Sequence, residues 1–544
     1  MNKRFLYLSL IGLMAIIGLF ICGGCTCEKS SGVKHTRRLI FNCDGTILLS
    51  NNMFDKRPLS LADVNAYVDD YAHTGITTFM MCSGSHNLYY RSAFTRVIGE
   101  PPANMPEGTY QDPGNVGEYY RNFLNVEREG ADVITAVLQR AQEHHLETFI
   151  SYRMNDLHYN DLSQTPLSQC DFWKDHPEYW IHENFGWHSE GAFDFVHPEV
   201  RKFKTDIIAE QLDKYGHLLD GFDLDFLRFP AYFKTAEAAK NAPLMTELVR
   251  TVKQKIDETS KRTGHHILLS VRVPIDMDYC LSEGLDVKEW VKLGLIDFVT
   301  IGHFLREDPS MAVAKFIHDL GDFRIPVYVS VGINSYWKPL LHSDGMKRGI
   351  ASHIYAQGGD GIYLFNYFFD NQCDTRESCN QDVCRSISRL LLSEIGSPKT
   401  LRKRNKIFAL NDGAGVAYYR YQGKSPLPLV VTSAGQTVDI YVGDDTQKDV
   451  PEQIILFIRT DRQVEADVQV NGINATPLGA EYITRYCADV GLNEGEKVHV
   501  FSVPISAVKK GYNTISIQSL GVEFNVVRLE MAVKYGDVTT HGYF

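Results

Sequence analysis

Between residues 37 and 395 the chain repeats one unit eight times, a short apolar run followed by a stretch of helical periodicity. The apolar runs fall at 38–44, 77–83, 147–154, 219–227, 266–273, 296–303, 325–333 and 361–367. The amphipathic stretches fall at 60–73, 130–145, 198–215, 241–263, 286–293, 310–320 and 343–357, with a last one at 381–395. Neighbouring parallel strands must be joined by a long crossover, and a helix is its usual form. Eight such units in one stretch predict a (β/α)8 TIM barrel spanning 37–397. The longest insertions, 84–128 and 155–197, both follow strands, which places them on the face where barrel enzymes build their sites.

Helical periodicity stops after Ser397 and Pro398. Beyond it, runs such as LPLVVTSAGQTVDIYVGDD and EQIILFIRT alternate with turn residues, which predicts an all-β sandwich of jelly-roll-like type over 398–544.

The fourth apolar run carries the strongest chemical signal, DGFDLDFLRFP from Asp220 to Pro230. Side chains alternate along a strand, so Asp223 and Asp225 share one face while Phe222, Leu224 and Phe226 share the other. A strand covered by helices normally reads as continuously apolar, and a buried carboxylate without a partner is costly. Two of them on one inward face call for a neutralising cation or for chemistry. The same alternation turns polar residues inward at other strand ends: Asn42 and Asp44, Ser151, Arg153 and Asn155, Ser270 and Arg272, His303, and Ser330 and Asn334. The candidate catalytic residues are therefore Asp225 and Asp223. The candidate substrate-binding residues are Asp44, Arg153, Asn155, Arg228, Arg272, His303 and Asn334. In the 155–197 insertion Asp156, His158, His182, Glu183, His188, Glu190, Asp194 and His197 add polar candidates, and Trp173, Trp180 and Trp187 are candidates for stacking on a sugar ring.

The barrel region holds no HExxH, HxH or CxxC pair, no GxSxG elbow and neither GxGxxG nor GxxxxGK, so no metal or other cofactor is expected. A net charge of −12 argues against nucleic acid as a partner. At the amino terminus Lys3 and Arg4 precede an apolar run from Phe5 to Ile21, and Gly23 and Gly24 precede Cys25. This segment resembles a bacterial lipoprotein leader. It implies a signal peptide over 1–24, lipidation at Cys25, a tether over 25–36 and a lipid-anchored protein of the bacterial cell envelope, on the outer membrane.

The Asp220–Pro230 run, together with His197, Pro198, Glu199, Val200 and Arg201 ahead of it, resembles the glycoside-hydrolase-like barrel families, in particular the family-10-like group of bacterial lipoproteins and secreted proteins. The resemblance covers roughly 36–395 and implies a barrel acting on poly- or oligosaccharides, with Asp225 in the site. Glycoside hydrolysis needs two carboxyls, one to protonate the leaving oxygen and one to attack or to activate water. Asp225 is the candidate for one; Asp223, Asp44, Glu307 and Glu190 compete for the other. The same run is also similar to the DGxDxDxE motif of family 18 chitinases, but Leu227 stands where that family needs its acid. A barrel that binds glycan without cutting it is the alternative.

Overall fold

The computed structural model describes residues 37–50, 57–103, 105, 112, 116–163, 165–186, 188–304, 308–332, 343–365, 367, 389–410, 417–418, 420–536 and 543–544. Cys25, Trp187, Glu307 and Asn334 lie outside them, as does the whole leader.

Strands β1 (Leu39–Cys43), β2 (Thr78–Cys82), β3 (Glu147–Arg153), β4 (Gly221–Asp225), β5 (Leu268–Pro274), β6 (Phe298–Gly302), β7 (Val327–Gly332) and β8 (Gly361–Phe365) close into a parallel barrel in chain order. Helices α1 (Leu61–Ala72), α2 (Val133–Glu143), α3 (Pro198–Tyr215), α4 (Ala238–Thr263), α5 (Val287–Lys292), α6 (Val313–Asp319), α7 (Asp344–Ala356) and α8 (Arg389–Glu394) follow the strands in turn. Several begin where a short polar side chain can take a free backbone N–H: Ser60 and Asp63 form a capping box at α1, and Asp132 and Ser343 cap α2 and α7. The strands are shorter than the apolar runs that encode them. Asp44 and His303 therefore lie just past the ladder, where strict alternation no longer dictates which way a side chain points.

The barrel interior is layered. Ile40, Met80, Phe149, Phe298, Tyr328 and Tyr363 form one buried apolar cluster with Phe365. In register along β3, β4 and β5 come Ser151, Asp223 and Ser270, and two residues further on Arg153, Asp225 and Arg272. The polar layers thus lie toward the carboxyl ends of the strands.

The carboxyl-terminal part is all β: β9 (Lys406–Ala409), β10 (Ala417–Tyr418), β11 (Tyr421–Gln422), β12 (Leu429–Val431), β13 (Gln436–Val442), β14 (Gln453–Thr460), β15 (Ala466–Val470), β16 (Ile473–Asn474), β17 (Thr476–Pro477), β18 (Lys497–Ser502), β19 (Gly511–Ser519) and β20 (Phe524–Lys534). One sheet runs β12-β20-β14-β18-β17 with β9 also on β20, and the other runs β13-β19-β15-β16. Ile440, Val470 and Ile515 of the second sheet share one apolar cluster with Leu456, Ile458 and Val526 of the first, so the two sheets bury their faces together.

Barrel and sandwich belong to one compact unit, His35–Phe544. Strand β9 packs directly on α7, where a Cβ at Gly349 would lie 1.9 Å from the Ile407 carbonyl oxygen. Because that oxygen is backbone, no rotamer change can make room. Gly349→Ala should therefore destabilise the protein by about 3 kcal/mol, at the upper end of overpacking costs; a thermal melt unchanged from the parent would refute the close approach. The two-strand hairpin β10–β11 reaches the barrel. Arg420 donates to the Phe233 carbonyl at 3.1 Å and to Thr235 Oγ1 at 2.8 Å and pairs with buried Glu283. The Tyr421 ring lies 4.7 Å from that of Tyr279. No described helix is long and apolar enough to cross a membrane.

Candidate active site

A cavity of about 230 Å³ opens beside the ends of β1 to β4. Asp44, Arg153, Asp156, His158 and Arg228 supply its charged and titratable wall, and Ser85, Asn87, Tyr159, Asn160 and Ser168 supply neutral polar groups. Arg153, the last residue of β3, bridges two carboxylates: Nη2 lies 2.9 Å from Asp44 Oδ2 and Nη1 donates to Asp156 Oδ2 at 3.0 Å. All three side chains are buried. Burial alone would push the Asp44 carboxyl upward, but the Arg153 and Arg228 guanidiniums outweigh it and hold the group down at about 2. Asp156 is likewise held well below the usual carboxylate range, because its His158 hydrogen bond and the same two arginines outweigh burial.

His158 Nδ1 meets Asp156 Oδ1, and its Nε2 lies 3.2 Å from Arg228 Nη2. A guanidinium can only donate, so Nε2 accepts and the proton sits on Nδ1, leaving the imidazole neutral. The cavity wall therefore carries two cations and two anions, with both carboxylates ionised.

Asp225 does not line the cavity. It is 1% exposed, and Oδ1 accepts the backbone N–H groups of Leu227 at 3.0 Å and Arg228 at 3.1 Å. Its Oδ2 takes Arg272 Nη1 at 3.1 Å, and Arg272 Nη2 donates in turn to Ser330 Oγ at 3.2 Å. The carboxylate thus closes the turn after β4, and this turn carries Arg228 to the cavity. Arg272 itself is enclosed, 4.2 Å above the Phe365 ring. Asp223 lies one layer deeper, fully buried, with Ser151 Oγ donating to one oxygen at 2.8 Å and Ser270 Oγ to the other at 2.7 Å. Burial and the neighbouring Asp225 charge raise it to about 6.

That shift sets a pH dependence. A carboxyl whose folded value exceeds its unfolded one destabilises the fold once it must ionise, so the cost grows from pH 3.8 to about 6 and is complete above that. Asp223→Asn keeps the shape and can still bond both serines. It should be more stable than the parent by about 3 kcal/mol at pH 8 and nearly equal to it at pH 4. Urea titrations at the two pH values check this, and a constant difference would rule it out.

The remaining sequence candidates are distributed as follows. Asp44, Arg153 and Arg228 meet at the cavity. Asn155 does not line it: Nδ2 donates to the carbonyls of Phe193 at 3.1 Å and Ala231 at 2.7 Å, tying together the loops after β3 and β4. His303 lies on the β6 side, with Nε2 at 3.0 Å from Asp308 Oδ2. Glu190 is exposed and accepts from Asn184. Trp173 and Trp180 stack on each other at 4.5 Å, and the indole N–H of Trp173 binds the Gly191 carbonyl, so this pair is the insertion's own core rather than an open platform. Sequence reasoning missed Ser85, His86, Asn87 and Asn160. The run SGSHN directly after β2 was the available signal, a polar loop on the carboxyl-end face.

No family model matches the chain, and no curated protein does either. Among solved structures, the chain is similar to a GH138 enzyme targeting pectin rhamnogalacturonan II (10% identity, 56% of this chain and 30% of that one, TM-score 0.34). It is also similar to a putative alpha-L-fucosidase from Bacteroides thetaiotaomicron (12% identity, 94% of this chain and 96% of that one, TM-score 0.36) and to a hyperthermophilic beta-glucosidase mutant (10% identity, 65% and 99%, TM-score 0.37). The chain spans less than a third of the length of the first of these. At TM-scores this low, none of the likenesses bears on what the site does.

Proposed function

We propose that the protein is a glycoside hydrolase that takes the terminal sugar of a poly- or oligosaccharide into the cavity beside β1 to β4. One observation carries the reading: two ionised carboxylates, Asp44 and Asp156, share one guanidinium at the wall of a cavity on the carboxyl-end face of a closed barrel. Its volume, about 230 Å³, is below the roughly 300–1,000 Å³ of pockets that engulf drug-sized ligands, which suits one sugar ring rather than a long chain segment. In this reading Asp44 and Asp156 meet the sugar, where a fixed negative charge favours the oxocarbenium-like transition state. Asp225 is a positioning residue, acting through Arg272 and the turn that carries Arg228.

The test is sugar release by the full-length chain from plant, algal and host glycans, followed by reducing-end and product-size analysis. Release of monosaccharide supports the reading. Products that are all long oligomers contradict the one-ring cavity, and no release from any glycan contradicts hydrolysis. A second reading, a barrel that binds glycan without cutting it, is favoured by one specific feature: both carboxylates at the cavity wall are held ionised, and neither can serve as the proton donor. Glycan binding without release would establish it.

We also propose attachment to the cell envelope through a lipid on Cys25. Metabolic labelling with a tritiated fatty acid should mark the parent and not Cys25→Ala; equal labelling of both would exclude the site.

A further inference from the structure

Resting on the sugar-cavity reading, we propose that Tyr159 donates the proton that the leaving oxygen needs. Few groups at the cavity have a proton to give. Asp44 and Asp156 are ionised against Arg153 and carry none. The His158 proton lies on Nδ1, held by Asp156 Oδ1, while Nε2 faces Arg228. Burial keeps the His86 ring neutral, and its Nε2 is sealed from the cavity. The guanidiniums of Arg153 and Arg228 do not release a proton in proteins. The serine and threonine hydroxyls of the wall are alkyl alcohols, far weaker acids than a phenol. Two phenols remain, Tyr89 and Tyr159, and both line the cavity.

Neither phenol oxygen has a hydrogen-bond partner among the described residues, and neither is closed off from solvent. The two differ in depth. Tyr89 is 4% exposed and lies against the turn after β1, where a Cβ on Gly45 would come 2.3 Å from its Cε2. Tyr159 is partly exposed and follows His158, with the two ring centres 6.1 Å apart. Asp156, Asp44, Arg153 and Arg228 all act on its phenol. With the terminal sugar inside the cavity the rest of the glycan extends outward, so the bond to be broken lies at the mouth. There the more exposed phenol meets the leaving oxygen, and Tyr89 is left to the ring hydroxyls within. Burial, and after it the two carboxylates, raise the Tyr159 phenol above its ordinary value, which keeps it protonated wherever those carboxylates are ionised. As the glycosidic C–O bond breaks, its electron pair goes to the leaving oxygen, which takes the phenol proton. Water then adds its oxygen to the anomeric carbon and gives up one proton, which restores the phenol.

Leaving-group dependence tests this, with the full-length chain in detergent and the dinitrophenyl and methyl glycosides of glucose, galactose, mannose, xylose, fucose and rhamnose in both anomers. Dinitrophenolate departs without a proton, whereas methoxide needs one. Tyr159→Phe should lower kcat/KM by about a hundredfold or more on a methyl glycoside and by less than about fivefold on the dinitrophenyl glycoside of the same sugar. Because the deleted hydroxyl bonds to nothing in the protein, the variant should melt with the parent; Tyr159→Leu, read by the same ratio, replaces it if it does not fold. Tyr89→Phe should affect the two substrates alike. An equal loss on both substrates in Tyr159→Phe, no loss on either, or a methyl-selective loss in Tyr89→Phe instead overturns the assignment. A parent that cleaves only dinitrophenyl glycosides has no proton donor, which overturns it too. Each of these leaves hydrolysis standing; no cleavage of any glycoside or glycan would refute hydrolysis, and the proton donor with it.

Discussion

Arg153→Met should cost about 3–5 kcal/mol of folding stability at pH 7, the range seen when one partner of a buried ion pair is removed. The reason is asymmetric. Methionine fills the space, but Asp44 and Asp156 are left buried without the cation they share. The pH dependence identifies the cause. In the parent, Asp44 is held at about 2, below its ordinary 3.8, so its stabilising contribution is present above pH 3.8 and lost as pH falls toward 2. In the variant the two carboxyls rise above their unfolded values, and their penalty applies only where they must ionise. The deficit should therefore be largest at pH 7 and shrink markedly by pH 4. Urea denaturation of both proteins at both pH values measures it. A deficit that stays constant would place the effect in packing instead.

Asp44→Asn should lower the rate of sugar release by several powers of ten while changing glycan affinity only a few-fold. A carboxylate that stabilises charge developing at the reacting carbon matters more in the transition state than in the bound ground state. Asp225→Asn should behave differently. It replaces an oxygen that accepts two backbone N–H groups or the one that takes Arg272, so the turn carrying Arg228 loosens and binding weakens along with rate. Single-turnover assays combined with titration of uncleaved substrate separate the two patterns. If Asp225→Asn keeps affinity and loses turnover while Asp44→Asn does neither, the reacting carboxylate is Asp225.

The barrel was legible because each of its strands is an apolar run followed by an amphipathic helix, a pattern that survives without knowledge of any contact. The polar layer was legible for the same reason, since Ser151, Asp223 and Ser270 sit within the ladder, where alternation holds. What the pattern could not rank was depth. Asp223 and Asp225 are one strand pleat apart and read alike, yet one is sealed between two serines and the other is consumed by a turn. Asp44 lies just past its strand, and Asp156 and His158 lie farther into a loop, so their convergence depends on how loops after β1 and β3 close in space. The stacking of Trp173 on Trp180 was hidden for a related reason: an aromatic residue in a long insertion looks the same whether it faces a ligand or its own loop.

The Arg420 hairpin bears on how the gene can be cut. The boundary after Ser397 looks like a place to separate a barrel from an appendage. Yet truncation there would leave Glu283, already pushed up to about 8 by burial, without the guanidinium that pairs with it, and would strip Phe233 O and Thr235 of their donor. A shortened chain that failed to fold would report the missing strut, not a glycan-binding role for the sandwich. Grafting this sandwich onto another barrel would likewise require transplanting its socket at Phe233, Thr235 and Glu283, so the two halves fit as a matched pair rather than as interchangeable cassettes.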